Sequence, residues 1–289
     1  MLTVIIPSRN EEFLPQTVDD IFNKAAGEIE VVVVLDGYWP DPILKDRPNL
    51  ILIHRSISYG MRNAINSGAA IAHGKYILKC DAHCMFDEGF DEKLKADCDE
   101  DWVVVPRRYS LDPDNWVRRE KAPFDHMYLS YPNNPNDYGG AGYHGKVWRE
   151  RDRDPKYNQE PVFDLMSFQG SGWFMHRDYF YKLELMDEEN WGTFWQEAQE
   201  IGLKAWFSGG RVVRNTKTWY AHLHKGSRGR GYFLDKRSLT QPVRYLNKFI
   251  LSDGWKNQTR DLKWLVNHFW PVKSWPENWE DELYRSEEI

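Results

Sequence analysis

Asp81 and His83 form the pair of side chains with the clearest capacity for chemistry. They follow an apolar, strand-like run at residues 75–79 and lie two positions apart. Because alternate residues of a strand project to one face, a carboxylate oxygen and an imidazole nitrogen can reach the same point. A mixed oxygen and nitrogen pair suits Mn²⁺ better than Ca²⁺ or Mg²⁺, which prefer oxygen ligands. The spacing therefore indicates a divalent metal site.

Two further interpretations of this pair stay open at this point. A strand end whose polar residues simply meet solvent would have the same sequence. Cys84 follows directly and could ligate zinc, although the chain has no Cys-x-x-Cys pair to complete such a site. The choice depends on which polar groups from the rest of the chain the fold brings to the same place.

The composition is that of a globular protein with many aromatic residues. Of the 289 residues, 41% are hydrophobic, and the net charge of −6 argues against binding polyanions through the whole surface. No apolar run approaches the roughly 20 residues of a membrane span and no signal-peptide pattern is present, so a cytoplasmic location is expected. The 14 Trp, 15 Tyr and 14 Phe favour a carbohydrate or nucleotide ligand, whose rings pack on aromatic faces.

Apolar strand patterns alternate with helical patterns in the first part of the chain. Strands are predicted at residues 2–7, 30–37, 50–53 and 75–79, and helices at residues 14–26 and 59–73. This alternation implies a parallel sheet, in which ligands bind beyond the carboxyl ends of the strands. Three of these ends carry polar residues, namely Ser8, Arg9, Glu11, Asp36, Asp81 and His83. A shared ligand site explains their convergence better than solvated strand ends do.

The middle of the chain carries fewer regular patterns. A strand is predicted at residues 102–106 and long loops over residues 106–165. A helix is predicted at residues 191–201, which places Glu188 and Glu189 at its N-terminus. Acids at that position also act as ordinary helix caps.

A basic segment follows the last strand-like run. Lys225, Arg228 and Arg230 alternate with glycines there. This composition suits a loop that closes over a diphosphate, and a solvated basic loop is the alternative. Beyond it, the tryptophan-rich tail is predicted to form short helices that dock on the core.

In this order and spacing, the motifs resemble the nucleotide-sugar half of GT-A glycosyltransferases of the family 2 type. The resemblance is carried by residues 4–11, Asp36, residues 60–77 and residues 81–83. Asp81-Ala82-His83-Cys84 is similar to the Asp-x-His-Cys motif of the polypeptide N-acetylgalactosaminyltransferases, whose glycine- and alanine-rich helix resembles residues 60–70.

The fold implied by this resemblance is α/β. It consists of a GT-A catalytic domain over residues 1–232, with a Rossmann-like nucleotide-sugar-binding sheet that is mixed in its centre, and a short α-helical extension over residues 233–289. Within the domain, residues 1–105 would bind the nucleotide and residues 106–232 the acceptor.

The resemblance also implies the positions of the site residues. His222, or failing that His224, would be the third protein ligand of Mn²⁺ (or Mg²⁺) beside Asp81 and His83. Glu189 and Asn190 resemble the Glu-Asn of the acceptor motif and, with Glu188, are the expected catalytic residues. The expected nucleotide-sugar-binding residues are Pro7, Ser8, Arg9, Glu11, Asp36, Gly60, Arg62, Asp81, Ala82, Gly172, Trp173, Lys225 and Arg228.

The predicted activity is metal-dependent transfer of a sugar from a nucleoside diphosphate sugar, most simply a UDP-sugar, to a hydroxyl group. The Asp-x-His motif implies retention, in which the leaving phosphate accepts the proton of the acceptor. Inversion would instead need a carboxylate base, and Glu188 or Glu189 could serve.

Several acceptors and two further functions are compatible with the sequence. Residues 218–231 resemble bacteriophage glycosyltransferases, some of which modify hydroxymethylated DNA, and arginine clusters near residues 107, 118 and 149 could follow phosphates. A surface glycan, a lipid-linked sugar and a protein are also candidate acceptors. A non-catalytic nucleotide- or nucleic-acid-binding module with the GT-A shell is the candidate from a different class of protein. Nucleotidyl transfer is disfavoured because residues 7–11 contain no glycine.

Overall fold

A ten-stranded mixed sheet forms the centre of the molecule. The structure is a computed structural model, and it describes residues 1–132, 142–226 and 229–285. The first elements are β1 (Leu2–Ser8), α1 (Leu14–Lys24), β2 (Ile29–Asp36), β3 (Leu50–Arg55), α2 (Met61–Ala70) and β4 (Tyr76–Cys80). The four strands are parallel, in the order β3-β2-β1-β4. All eight residues of β2 are buried, as expected for an inner parallel strand covered on both faces.

The second half of the chain makes the sheet mixed. It contains β5 (Cys84–Phe86), α3 (Phe90–Ala96), β6 (Trp102–Asp112), β7 (Val117–Arg118), β8 (Met127–Leu129), β9 (Gly145–Val147), α4 (Arg149–Arg153), a 3-10 turn (Pro155–Tyr157), β10 (Val162–Asp164), β11 (Gly172–His176), α5 (Arg177–Lys182), α6 (Glu188–Trp191), α7 (Glu197–Phe207) and β12 (Arg211–His222). Strand β11 lies between β4 and β6 and is antiparallel to both. Strand β12 is parallel to β6 and antiparallel to the short strand β5.

The structure differs from the sequence-based prediction in two segments. The prediction of loops over residues 106–165 is wrong, since β6 extends to Asp112 and four short strands and a helix follow. In place of the single helix predicted over residues 191–201, the structure has the end of α6 and the start of α7, with residues 192–196 between them. The chain cannot continue as one helix there because Gly192, Trp195 and Gln196 all have positive φ angles.

The C-terminal part is helical, as predicted. Its helices are α8 (Lys236–Phe249), α9 (Leu262–Phe269) and α10 (Trp279–Arg285). Leu246, Leu265 and Trp279 belong to the same buried cluster as Trp206 of α7. The C-terminal helices therefore complete the core that supports α7. Within the described residues, no helix has the length and apolar character needed to cross a membrane.

Candidate active site

Three strand ends bring Asp81, His83 and His222 together. Asp81 follows the last residue of β4, and His83 immediately precedes β5. His222 is the last residue of β12, where it lies opposite Cys84 in the antiparallel pair formed with β5. Through its pairing with β12, the short strand β5 thus holds His222 against His83, although the two histidines are 139 positions apart in the sequence.

The distances within this triad suit a single divalent cation. The Nε2 atoms of His83 and His222 are 3.1 Å apart, and Asp81 Oδ2 lies 3.2 Å from His222 Nε2 and 3.8 Å from His83 Nε2. Ligand atoms about 2.1 Å from one ion are separated by about 3.0 to 3.4 Å in octahedral or tetrahedral geometry. Two of the three separations fall in this range, and the third, 3.8 Å, is wider. No second group of three or more His, Cys, Asp or Glu ligands is found among the described residues.

The protonation states of the triad also suit a cation. Burial lowers the pKa of His222 to about 4, so its imidazole is neutral near pH 7. Burial acts to raise the pKa of Asp81, but Lys79 and the two histidines outweigh it and hold that pKa well below its ordinary value. The triad therefore offers a carboxylate and neutral imidazole at neutral pH.

Outer contacts orient two of the three ligands. His83 Nδ1 donates to Glu11 Oε2 at 3.0 Å, which leaves its Nε2 lone pair facing the triad. The second oxygen of Glu11 accepts a hydrogen bond from Lys225 Nζ at 2.7 Å. Burial acts to raise the pKa of Glu11, but His83 and Lys225 outweigh it and lower that pKa.

Lys79 orients Asp81 from inside the sheet. Its ammonium group is fully buried and donates to Asp81 Oδ1 at 2.8 Å and to the Gly170 carbonyl at 2.8 Å. It also donates to Glu197 Oε2 at 3.1 Å. Because Lys79 occupies Oδ1 of Asp81, the Oδ2 atom is left to face the histidines.

A cleft with a volume of about 980 Å³ opens beside the triad. That volume is in the range of sites that bind nucleotide-sized ligands. Nine of the predicted nucleotide-sugar-binding residues line it: Pro7, Ser8, Arg9, Glu11, Asp36, Gly60, Asp81, Ala82 and Lys225. Asp36 shapes the cleft wall, since its carboxylate accepts hydrogen bonds from the backbone N–H groups of Tyr59 and Gly60.

Three more of the predicted donor-site residues lie elsewhere. Arg62 is fully buried, because its guanidinium pairs with Glu200 and holds the Trp195 carbonyl. Gly172 faces the Tyr220 ring, and a Cβ atom there would lie 2.9 Å from Tyr220 Cε2. Trp173 is buried, and its indole N–H donates to Glu197. None of the three lines the cleft. The prediction that they contact the donor is therefore corrected, and in the structure they support residues around the cleft. Arg228 lies outside the described residues.

The predicted catalytic residues Glu188, Glu189 and Asn190 do not line the cleft either. The Glu188 carboxylate accepts hydrogen bonds from the side chains of Asn63 and Asn66. Glu189 is exposed, and the Asn190 side chain donates to Asp187, whose carboxylate caps α6. Asp187 is thus the cap of α6, and Glu188 ties this segment to α2.

The same geometry decides between His222 and His224 and tests the zinc interpretation of Cys84. His222 belongs to the triad and His224, which is exposed, does not. The buried thiol of Cys84 donates to the Ser171 carbonyl at 3.7 Å, and burial raises its pKa well above the ordinary value. A buried neutral thiol outside the triad does not support a zinc site.

Glu197 is an acidic residue at the cleft that the sequence patterns do not reveal. It is the first residue of α7 and lines the cleft together with Gly170 and Ser171. Burial raises its pKa, although Lys79 acts in the opposite direction. The sequence signal that points to such a residue is Lys79, because a lysine inside an apolar strand needs an acidic partner.

Comparisons with known proteins agree with this fold. The family described as Glycosyl transferase family 2 matches residues 3–184. A Drosophila melanogaster protein named putative polypeptide N-acetylgalactosaminyltransferase 13 is 25% identical over 90% of this chain, which spans 49% of that relative. The chain therefore corresponds to about half of the relative.

Solved structures share the fold. GalNAc-T7 with UDP, GalNAc and Mn²⁺ superimposes with a TM-score of 0.68 at 16% identity, over 92% of this chain and 56% of that one. S. aureus TarS 1-349 in complex with UDP-GlcNAc has a TM-score of 0.55 at 12% identity, over 91% of this chain and 69% of that one. The predicted GT-A fold is confirmed, and because the family match covers more than half of the sequence, the chain belongs to glycosyl transferase family 2.

Proposed function

We propose that this chain is a metal-dependent glycosyltransferase that moves a sugar from a UDP-sugar to a hydroxyl group with retention of configuration. The observation that carries the proposal is the triad of Asp81, His83 and His222 at one side of a cleft of about 980 Å³. Two structures with the same fold were solved with UDP or UDP-GlcNAc, and one of them with Mn²⁺.

The residues around the triad have distinct roles in this proposal. Asp81, His83 and His222 would hold Mn²⁺ or Mg²⁺, and such an ion offsets the charge that develops on the leaving diphosphate. Lys225 lines the cleft and donates a hydrogen bond to Glu11. From this position its ammonium group can bind a diphosphate oxygen. Residues 7–11 and Asp36 form the wall that would hold the nucleoside.

Two fixed donors anchor the Glu197 carboxylate at the cleft. Its Oε1 atom accepts from the Trp173 indole at 2.7 Å, and its Oε2 atom accepts from Lys79 at 3.1 Å. A general base needs a lone pair directed at the hydroxyl proton of the acceptor. Each carboxylate oxygen keeps a second lone pair, so these bonds anchor Glu197 without excluding it as a base. Retention rests on the Asp-x-His motif, in which the leaving diphosphate would accept the proton and Glu197 would orient substrate.

Release of UDP from UDP-glucose, UDP-GlcNAc and UDP-GalNAc tests the proposal. We expect hydrolysis or transfer with Mn²⁺ that EDTA abolishes, and NMR of the first product should show the α configuration of the donor. Absence of turnover with every donor would contradict the enzyme function and favour a binding module. A β product would contradict retention and indicate a carboxylate base instead.

A further inference from the structure

Two consecutive residues at the cleft have an unfavourable backbone conformation. Trp195 and Gln196 have φ angles of 67° and 52°, in the left-handed region that side chains other than glycine seldom adopt. They immediately precede Glu197, and all three line the cleft. Strained residues of this kind persist where the surrounding structure fixes them, and they concentrate at functional sites.

A buried ion pair fixes this conformation. Arg62 pairs with Glu200 of α7, both side chains are fully buried, and Arg62 Nη2 donates to the Trp195 carbonyl at 2.8 Å. The backbone N–H of Arg62 also donates to the Thr193 carbonyl at 3.3 Å. The Gln196 side chain donates to the Tyr143 carbonyl at 3.3 Å. These polar contacts hold the backbone around Trp195 in place.

The result is an indole displayed to solvent inside the cleft. Trp195 is 38% exposed, and only Trp39 and Trp270 among the tryptophans of the described residues are more exposed. Phe194 also lines the cleft, and its ring lies 6.3 Å from that of Trp195. Phe233, which is 83% exposed, lines the cleft as well. Exposed aromatic faces in a cleft provide stacking surfaces for flat or ring-shaped ligands.

The charges that line the cleft argue against a nucleic-acid acceptor. The described lining of the cleft has four basic and five acidic residues: Arg9, Lys146, Lys225 and Arg230, against Glu11, Asp36, Asp81, Glu197 and Asp235. A phosphate backbone would need a clear excess of free cations. Hydroxyl and amide groups from Thr193, Gln199 and Ser238 complete the lining instead. These groups suit a neutral ligand with several hydroxyls.

Of the three basic clusters outside the cleft, those at residues 107–108 and 149–153 are largely used internally, whereas Arg118, Arg119 and Lys121 are exposed. Arg107 makes two hydrogen bonds to Asp125, and Arg149 pairs with Asp152. Arg151 is buried and donates to the Phe269 carbonyl. These arginines therefore offer little free charge to DNA phosphates.

We propose that Trp195 is a stacking platform for the pyranose ring of a carbohydrate acceptor, held beside Glu197 by the left-handed backbone. This inference rests on the proposed glycosyl transfer and adds the class of acceptor. It also gives Arg62 a role as the residue that positions Trp195. The ring of the donor sugar has the same chemistry, so the experiment must separate the two ligands.

The test measures transfer from the preferred UDP-sugar to the methyl α- and β-pyranosides of glucose, galactose and N-acetylglucosamine. We expect at least one pyranoside to be an acceptor, and Trp195→Ala to raise its KM about tenfold or more, as loss of one stacking contact does. Trp195→Phe should retain most of the affinity. Trp39→Ala is the matched control, because Trp39 is 61% exposed, stacks on His54 and does not line the cleft.

A stability measurement separates this role from a purely structural one. Trp195→Gly removes the ring and relieves the backbone, so it should melt at a higher temperature than Trp195→Ala while its acceptor KM rises as much. An unchanged acceptor KM in Trp195→Ala, or a rise only in the KM for the UDP-sugar, would overturn the proposal. Transfer to hydroxymethylated DNA or to a Ser/Thr peptide, but to no pyranoside, would also overturn the proposal. Failure of wild-type UDP release with any donor would instead refute the proposed function itself.

Discussion

At the scale of single residues, Lys79 connects the two acids of the site. It lies between Asp81 of the triad and Glu197 of the cleft, fully buried and bonded to both. Burial acts to lower the pKa of Lys79, but the two carboxylates outweigh it and raise that pKa, so the side chain stays charged. A buried ammonium with two acidic partners and a carbonyl is a rigid support for the ligand atom of Asp81.

Lys79→Met should weaken Mn²⁺ binding about 10- to 100-fold, the usual effect of losing an outer partner of a metal ligand. The physical reason is that Asp81 loses the donor that fixes its Oδ1 atom. Isothermal titration of the variant with Mn²⁺ in the presence of UDP measures the effect. Lys75→Met, in the same run but exposed, is the matched control. An unchanged affinity in a folded Lys79 variant would show that Asp81 does not need this support.

The residues of the site differ in how well the sequence predicts them. Asp81 and His83 can be identified because they lie two positions apart after a strand pattern, although the structure places them in the turn between β4 and β5 and not on one strand. His222 can be identified only because the segment around it resembles a known family. Glu197 and Trp195 escape prediction, because their place at the cleft depends on two left-handed residues that no propensity predicts. Acid and amide groups at the start of a helix give the same sequence pattern whether they cap the helix or bind substrate. For this reason the sequence predicts a catalytic role for Glu188, Glu189 and Asn190.

At the scale of elements, the segment after β12 packs against the loop after β1. Lys225 pairs with Glu11, Asn10 Nδ2 donates to the Gly231 carbonyl at 2.7 Å, and Arg9 lies 4.6 Å from the centre of the Tyr232 ring. These contacts join the basic segment to the wall of the cleft. The expected closure of this segment over a diphosphate therefore has a geometric basis, and it stays a prediction.

Gly231→Ala should weaken binding of the UDP-sugar, because a Cβ atom at Gly231 would lie 2.9 Å from the Asn10 carbonyl oxygen. Separation of the segment from the loop would move Lys225 away from the diphosphate. We expect the KM for the UDP-sugar to rise about tenfold, the value of one charge-assisted contact of about 1.4 kcal/mol. Gly254→Ala is the control, since a Cβ atom there meets nothing within 4 Å. Equal KM values in the two variants would contradict this role.

At the scale of the whole molecule, the sheet and the C-terminal helices share one core. The parallel strands can be predicted from their apolar runs, because inner strands of a parallel sheet are buried on both faces. The antiparallel direction of β11 and the pairing of β5 with β12 cannot be predicted from such runs, because they depend on contacts between residues far apart in sequence. The ring of Trp206 in α7 lies 5.5 Å from that of Phe269 in α9, so the helix that carries Glu197 rests on the C-terminal extension.

Leu265→Ala in α9 should therefore destabilise the whole protein and not only the extension. Leu265 is fully buried in the shared core, and such truncations cost about 2 to 5 kcal/mol. Urea unfolding can be monitored by circular dichroism and, separately, by UDP binding. We expect both signals to show a single transition, with its midpoint shifted to the same lower urea concentration. Leu239→Ala in α8, at a site 36% exposed, should change stability by less than about 0.5 kcal/mol. Separate transitions for the two signals would show that the extension folds independently.

The most direct test of the metal site is Mn²⁺ binding followed by electron paramagnetic resonance with UDP present. We predict one bound Mn²⁺ per wild-type chain and a loss of affinity greater than about 100-fold in His222→Ala, beyond the effect of losing an outer partner. His224→Ala should keep the wild-type affinity within about twofold, because His224 is not part of the triad. Binding of Mn²⁺ that is unchanged in His222→Ala would contradict the assignment of Asp81, His83 and His222 as the metal site.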